Sequence, residues 1–301
     1  AWTGYLISGD LAFLSDNFDA LYHWMEYTQG HMLDGTLQPY FFGEGEGELS
    51  DFLKSRTQWF LGDWLSPGRK SDNLEENSIF NTAYAIFSCR LLADMARRLD
   101  RSGPVEQLQA WINASAAALL SRYIDSDTGV VGSGRQPYAI VVLLADFLEP
   151  DVRDRVYAEL KRRIRQDDRM HFDTGVVATT WLLRLLMEEG DVDLALQLLL
   201  QTDKPSFGHF LKKGCTTFPE PWYDEYGGFG SSYCHASFSG VGFWFLQALA
   251  GIRPDPNDPG YRTVRLAPQF TPRLKQVTGA TGSFRGPIEA SWQWLNADTL
   301  E

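Results

Sequence analysis

Apolar residues recur at helical spacing along most of the first 250 positions. Between residues 10 and 28 they lie three or four positions apart, on one face of a helix that Gly30 ends. The same spacing predicts further helices near 51–61, 74–100, 104–123, 136–148, 151–166, 173–189, 191–202, 205–212 and 235–250. No strand is predicted before residue 255.

The pattern changes after Gly251, where prolines and glycines interrupt it. Residues 261–266 and 288–294 alternate apolar and polar positions, which predicts two strands separated by glycine-rich turns. With about four strand candidates in all, the segment predicts a small β appendage and does not suffice for a closed sandwich.

The helices follow one another in pairs joined by short turns, which is typical of a toroid built from helical hairpins. We therefore predict an all-α fold, an (α/α)6 toroid over residues 1–252, with a β-sandwich-like appendage over residues 253–301. A ring of six hairpins needs twelve helices, so we expect one or two helices to precede residue 1.

A long loop interrupts the helical pattern at residues 215–235 and carries many polar and aromatic side chains. Pro219 and Pro221 stiffen the backbone on either side of Glu220 and fix the direction of its carboxylate. Asp224 and Glu225 follow, and His235 stands where the next helix begins. Long loops on a rigid scaffold are where functional residues concentrate.

Composition narrows the function classes. The 301 residues carry a net charge of −12 with scattered Lys and Arg, which argues against a nucleic-acid partner. No run of about 18 apolar residues is present, so no membrane span is predicted. The three cysteines lack metal-site spacing, and the ten tryptophans suit either a core or a pocket for sugar rings.

Other candidate residues each have a structural alternative. Asp63 could bind a sugar hydroxyl while Trp64 stacks on the ring, or Asp63 could cap a helix. Asp10 stands where a helix begins and suits an N-cap, and His235 could be a core histidine. Because no phosphate-binding, dinucleotide or zinc-protease motif is present, carboxylates and aromatics on a toroid point to carbohydrate chemistry. Hydrolysis of a glycoside needs two carboxyl groups astride one bond.

The chain resembles the α-L-rhamnosidase family of six-hairpin glycosidases over nearly its whole length. The matching segments, in the family's order, are WTG at 2–4, GDWL at 62–65, HFDTGVVATTWLL at 171–183, PSFG at 205–208, GCTTFPEPW at 214–222, SYCHASFSGV at 232–241, LAGI at 249–252, PGYRTVRLAP at 259–268 and GPIEASW at 286–292.

The resemblance implies an inverting hydrolase that removes terminal rhamnose from an oligosaccharide or glycoside without a metal or other cofactor. It assigns Glu220 as the general base and Asp10 to the catalytic set, and it places the general acid at or before Ala1. The residues it implies for substrate binding are Trp2, Asp63, Trp64, Trp222 and His235. Asp224 and Glu225, in the same loop, are further substrate-binding candidates and stay as alternatives to Glu220 for the general base.

Three other functions remain open at this point. A sugar-binding toroid without its acid would bind ligand and not turn it over. A terpene cyclase or prenyltransferase would need an acidic cluster that the sequence lacks, and an unsaturated-uronyl hydrolase would favour a basic pocket. Homo-oligomerisation is left open, and we favour a cytoplasmic location over a secreted one.

Overall fold

The computed structural model describes residues 1–38, 60–68, 74–222, 232–296 and 299–300. The helices in these ranges are α1 (Trp2–Ser8), α2 (Ala12–Gly30), α3 (Leu74–Arg98), α4 (Ser102–Tyr123), α5 (Gln136–Ala145), α6 (Pro150–Arg162), α7 (Ala178–Glu188), α8 (Val192–Leu199), α9 (Phe207–Lys212), α10 (Ala236–Ser239) and α11 (Val241–Trp244). Two π-helical turns, Arg163–Asp167 and Phe245–Leu249, continue α6 and α11.

The helices predicted from residue 74 onward, and the one at 10–28, are confirmed. Helix α1 was missed because its seven residues are too few to show a period. The helix predicted at 51–61 falls almost wholly outside the described residues.

Successive helices form hairpins, and the first member of each hairpin packs against the first member of the next. Thus α3, α5, α7 and α11 contact one another in sequence, while α4, α6 and α8 pack behind their partners. The sequence QPYAIVVLLA makes α5 apolar all round, and every one of its residues is buried. Helix α6 buries only Val156, Tyr157 and Leu160, as expected of an outer helix. The predicted all-α toroid of hairpins is confirmed.

Short strands flank the helical layers. Strands β1 (Met32–Leu33) and β2 (Thr36–Leu37) form a hairpin across Asp34 and Gly35, both at positive φ, as a tight two-residue turn requires. The expectation of no strand before residue 255 was therefore wrong.

The C-terminal part contains two antiparallel sheets. Strand β3 (Ile252–Pro254) pairs with β4 (Val264–Leu266), and β5 (Gln276–Ser283) pairs with β6 (Gly286–Asn296), which continues to β7 (Thr299–Leu300). The strand predicted at 261–266 is confirmed over its last three residues, which form β4, and the strand predicted at 288–294 lies within β6. Strand β5 was missed because its sequence, QVTGATGS, has almost no apolar residues.

Candidate active site

Glu220 lies where two distant segments meet. Its backbone N–H donates to the Ser232 carbonyl at 2.9 Å, and the Ser232 N–H donates to its carboxylate Oε2 at 3.0 Å. The Trp64 indole N–H donates to Oε1 at 3.1 Å. Each oxygen of this partly buried carboxylate therefore has a donor, and a hydrogen bond to an ionised group is stronger than a neutral one.

Asp63, the neighbour of Trp64, has a capping role. Its carboxylate accepts hydrogen bonds from the N–H groups of Gly175, Val177 and Ala178 at 2.6, 3.2 and 3.0 Å, at the start of α7. Burial raises the pKa of Asp63 to about 6, although these three donors and Arg135 act in the opposite direction. The side chain is 3% exposed, so a sugar could reach it only if the cap opened. The prediction that Asp63 contacts the sugar is therefore corrected: its carboxylate caps α7.

A buried ion pair clamps the loop that carries Asp63 and Trp64. Arg135 donates from Nε and Nη2 to the two oxygens of Asp173, both at 2.8 Å, and from Nη2 to Ser66 Oγ at 3.0 Å. The Gly68 N–H donates to Asp173 Oδ1 at 2.8 Å. Both partners are almost fully buried, and each is hydrogen-bonded, as a buried pair must be. The clamp ties this loop to the starts of α5 and α7.

Trp222 belongs to the core. It is 1% exposed, its indole N–H donates to the Thr174 carbonyl at 2.6 Å, and its ring stacks between Phe172 and Phe210 at centroid distances of 5.5 and 5.4 Å. A sugar cannot reach a ring enclosed in this way. The prediction that Trp222 lines the sugar site is therefore corrected: the residue anchors the segment that carries Glu220, two positions away.

His235 is half-buried and begins α10. Its Nδ1 accepts a hydrogen bond from the Ser237 N–H at 3.3 Å, and its own N–H donates to the Phe218 carbonyl at 2.8 Å. Because Nδ1 is an acceptor here, the neutral ring carries its proton on Nε2. That N–H is suited to donate to a sugar hydroxyl, as the sequence predicted for this residue.

An open cavity of about 400 Å³ lies between α1, α7 and the α10–α11 segment. Aromatic and hydroxylated side chains line it, with Thr3, Thr180, Trp181, Phe243 and Trp244 among the contributors, and Arg184, which is paired with Glu188, also lines it. Trp244 is 4% exposed, and its indole N–H has no acceptor among the described residues. Ala236 and Ser237, which directly follow His235 in the sequence, also line the cavity.

Trp2 lies at the start of α1, next to the cavity residue Thr3. Its ring is half-buried and packs 5.8 Å from the ring of Tyr5. This position is compatible with the predicted contact to a sugar face. Asp224 and Glu225 lie outside the described residues.

Asp10 lies beside the joint with the C-terminal part. Its Oδ1 accepts a hydrogen bond from the Ala12 N–H, the first of α2, at 2.9 Å. In the adjoining segment, the Gly260 N–H donates to the Leu6 carbonyl at 2.9 Å. Helix α7 starts beside Glu220 and ends beside the C-terminal part, about 16 Å further on at 1.5 Å per residue. Among the described residues no contact joins Asp10 to Glu220, and the predicted place of Asp10 in the catalytic set stays a prediction.

Two family models match the chain. The bacterial alpha-L-rhamnosidase six-hairpin glycosidase domain matches residues 1–249, and the C-terminal domain of the same proteins matches residues 251–300. The chain belongs to the bacterial α-L-rhamnosidase family. The division that we predicted at residues 252 and 253 stays a prediction.

Curated members of the family are similar along nearly the whole chain. The α-L-rhamnosidase of Streptomyces avermitilis is 30% identical over 97% of this chain and 26% of its own length. That of an Alteromonas species is 24% identical over 97% of the chain and 31% of its length. The chain thus spans between a quarter and a third of the length of these two relatives.

Solved rhamnosidase structures share the fold. The Streptomyces avermitilis α-L-rhamnosidase complexed with L-rhamnose superposes with a TM-score of 0.79 at 26% identity, over 96% of this chain and 26% of that one. The Dictyoglumus thermophilum α-L-rhamnosidase gives a TM-score of 0.83 at 21% identity, over 97% and 31%.

Sequence reasoning missed several residues that build the site of this rhamnosidase-family chain. Arg135 gave no signal beyond being a charged residue before an apolar run, and Asp173 stood out only as part of the matching segment at 171–183. Ser232 contacts Glu220 mainly through its backbone N–H, which any residue type supplies. Within the described ranges, no group of three or more His, Cys, Asp or Glu side chains could hold a metal ion, and no helix is long and apolar enough to cross a bilayer.

Proposed function

We propose that the protein hydrolyses terminal α-L-rhamnosyl bonds with inversion of configuration, with Glu220 as the general base. The observation that carries the proposal is the Glu220 carboxylate, which has a hydrogen-bond donor at each oxygen, in a chain of the α-L-rhamnosidase family. The relative whose structure contains L-rhamnose supports the substrate class.

The proposed step uses two carboxyl groups. Glu220 takes a proton from water while the water oxygen bonds to C1 of the rhamnosyl ring, and the bond from C1 to the leaving oxygen breaks. A second carboxyl group protonates the leaving oxygen. In an inverting enzyme the two groups lie about 6.5–9.5 Å apart, so that the water fits between base and sugar.

The cavity and its surroundings suit a neutral sugar. Trp181, Phe243 and the exposed part of Trp64 offer apolar faces, and the threonine hydroxyls and the Trp244 indole N–H offer hydrogen bonds. A volume of about 400 Å³ lies within the usual range of small-molecule sites. His235, the residue before the cavity residue Ala236, could supply a further donor.

Replacement of the base tests the proposal. In the full-length protein, Glu220→Gln should lower kcat on an aryl α-L-rhamnoside by about 10²- to 10⁴-fold, because an amide cannot accept the proton from water. Glu106→Gln, an exposed carboxylate on α4, is the control and should leave kcat unchanged. Circular dichroism should show the same helical content in all three proteins.

The product distinguishes the remaining possibilities. NMR of the first sugar released should show the β anomer, and an α anomer would contradict inversion. Retained activity of Glu220→Gln would remove Glu220 from the mechanism. Binding of rhamnose without turnover of any member of an aryl glycoside panel would favour the sugar-binding toroid.

A further inference from the structure

We infer that Trp64 serves the proposed reaction as a positioning residue, through the hydrogen bond from its indole N–H to Glu220. This inference rests on the proposed function of Glu220 and goes beyond it, since the sequence suggested only a stacking surface for Trp64. The bond joins positions 156 residues apart, from Nε1 to Oε1 at 3.1 Å.

Two donors from different elements fix the carboxylate plane. Trp64 holds Oε1 from the loop before α3, and the Ser232 N–H holds Oε2 from the segment before α10. With only one donor, the carboxylate could still rotate about that single hydrogen bond. A base must meet its water in one orientation, so a second donor restricts it to the productive geometry.

The backbone that presents Trp64 is held along its length. The Trp64 carbonyl accepts from the Val176 N–H at 2.9 Å, and the Asn77 amide donates to the Phe60 carbonyl at 2.6 Å. Asp63 and Ser66 are bound on either side of Trp64, as described above. A stacking ring keeps its contact with a sugar when it shifts by a fraction of an ångström, whereas a hydrogen bond weakens when its donor shifts by the same amount. The clamp is therefore better explained by a donor that must stay in place.

Two roles of Trp64, hydrogen-bond donor to Glu220 and stacking surface for a sugar, can be tested separately. The side chain is 36% exposed, so part of the ring could also touch a sugar. Phenylalanine keeps an apolar ring at this position and removes the N–H. Trp64→Phe therefore tests the donor while it retains the stacking surface.

We expect Trp64→Phe to lower kcat about 10-fold with KM changed by less than about twofold, since the lost bond is one to an ionised group. Trp24→Phe, on the outer face of α2 and 63% exposed, is the matched control and should change neither kcat nor KM. An unchanged kcat in Trp64→Phe, or a rise in KM that accounts for the whole loss of kcat/KM, would overturn the inference.

A spectroscopic measurement tests the contact without turnover. In protein labelled with 5-fluorotryptophan, the resonance absent from Trp64→Phe identifies Trp64. At a fixed pH of 7 its chemical shift should differ between the wild type and Glu220→Gln, which removes the charge of the acceptor, and should be the same in the wild type and Glu106→Gln. An unchanged resonance in Glu220→Gln would overturn the contact.

The two measurements separate the inference from the proposed function. If the wild type turns over no rhamnoside, the proposed function fails and the role of Trp64 in turnover fails with it, while the fluorine resonance still decides the contact. If the wild type is active and the resonance moves in Glu220→Gln, the kinetics of Trp64→Phe decide whether the contact positions the base.

Discussion

Asp63 and Trp64 are adjacent in sequence and perform different tasks. The Asp63 carboxylate is enclosed by three backbone N–H groups at the start of α7, and the Trp64 indole N–H reaches Glu220. The buried carboxylate holds the loop, and the partly exposed indole meets the site. A single dipeptide thus couples the anchoring of a helix to the geometry of the proposed base.

Ionisation of Asp63 should show in the stability of the protein. Its pKa of about 6 in the folded state exceeds the ordinary 3.8, so between these values the folded protein binds a proton that the unfolded chain does not. The contribution of Asp63 to stability therefore falls as pH rises from 3.8 to 6 and is constant above that.

Asp63→Asn removes this dependence. The free energy of unfolding of the wild type minus that of the variant should decrease by roughly 3 kcal/mol between pH 4 and pH 7. Urea unfolding at four pH values measures it, with the exposed Asp154→Asn as the control. A difference that stays constant with pH would contradict the prediction.

At the scale of elements, the site is built where helices begin. Arg135 precedes α5, Asp63 caps α7 and His235 caps α10, so residues at the starts of three helices hold the segments that meet at Glu220. Helix starts carry unpaired N–H groups and a positive partial charge, which favours carboxylates. This explains why a carboxylate, that of Asp63, is held at the start of α7.

The contact between the Trp64 loop and the start of α7 depends on Gly175. A Cβ at this position would lie 1.9 Å from the Trp64 carbonyl oxygen and 2.8 Å from the Ser66 nitrogen, both backbone atoms that cannot turn away. Gly175→Ala should lower the free energy of unfolding by about 3 kcal/mol or more.

Gly103→Ala is the matched control, because a Cβ there meets nothing within 4 Å and lies in the first turn of α4. It should be neutral or stabilise by up to about 1 kcal/mol. Chemical denaturation of both variants measures the difference, and equal stabilities would contradict the predicted close approach.

At the scale of the whole molecule, the C-terminal sheets are bonded to the toroid. The Trp292 indole N–H donates to the Leu249 carbonyl at the end of the last helix, at 2.8 Å, and the Gln269 amide donates to the Met187 carbonyl at 2.5 Å. The Gln269 N–H also donates to the Ala248 carbonyl at 2.9 Å. These contacts lie at the end of the helices opposite to Glu220.

Such contacts should make the two parts unfold together. Trp292→Phe removes one buried hydrogen bond and part of a buried ring, and we expect the free energy of unfolding to fall by about 1–3 kcal/mol. The helical circular-dichroism signal should be lost in one cooperative transition, with its midpoint at a lower denaturant concentration than in the wild type. A helical transition at the wild-type midpoint would contradict this coupling, and Trp24→Phe should leave the midpoint unchanged.

Local sequence pattern determined the helices, the two strands with alternating residues and the family. A helical period or an alternation reports directly which positions face a core, whatever lies on the other side. The stiff Pro219-Glu220-Pro221 segment also marked the candidate base from sequence, and the structure gives that carboxylate two donors.

Only the tertiary structure decided which of the candidate residues meet. Asp10, Asp63 and Trp222 have the side chains of a sugar site, yet two of them are buried and the third lies beside the joint with the C-terminal part. Trp64 and Glu220 are 156 positions apart, and nothing in either segment encodes their contact. Burial and proximity depend on how distant segments pack, and that information is spread over the whole chain.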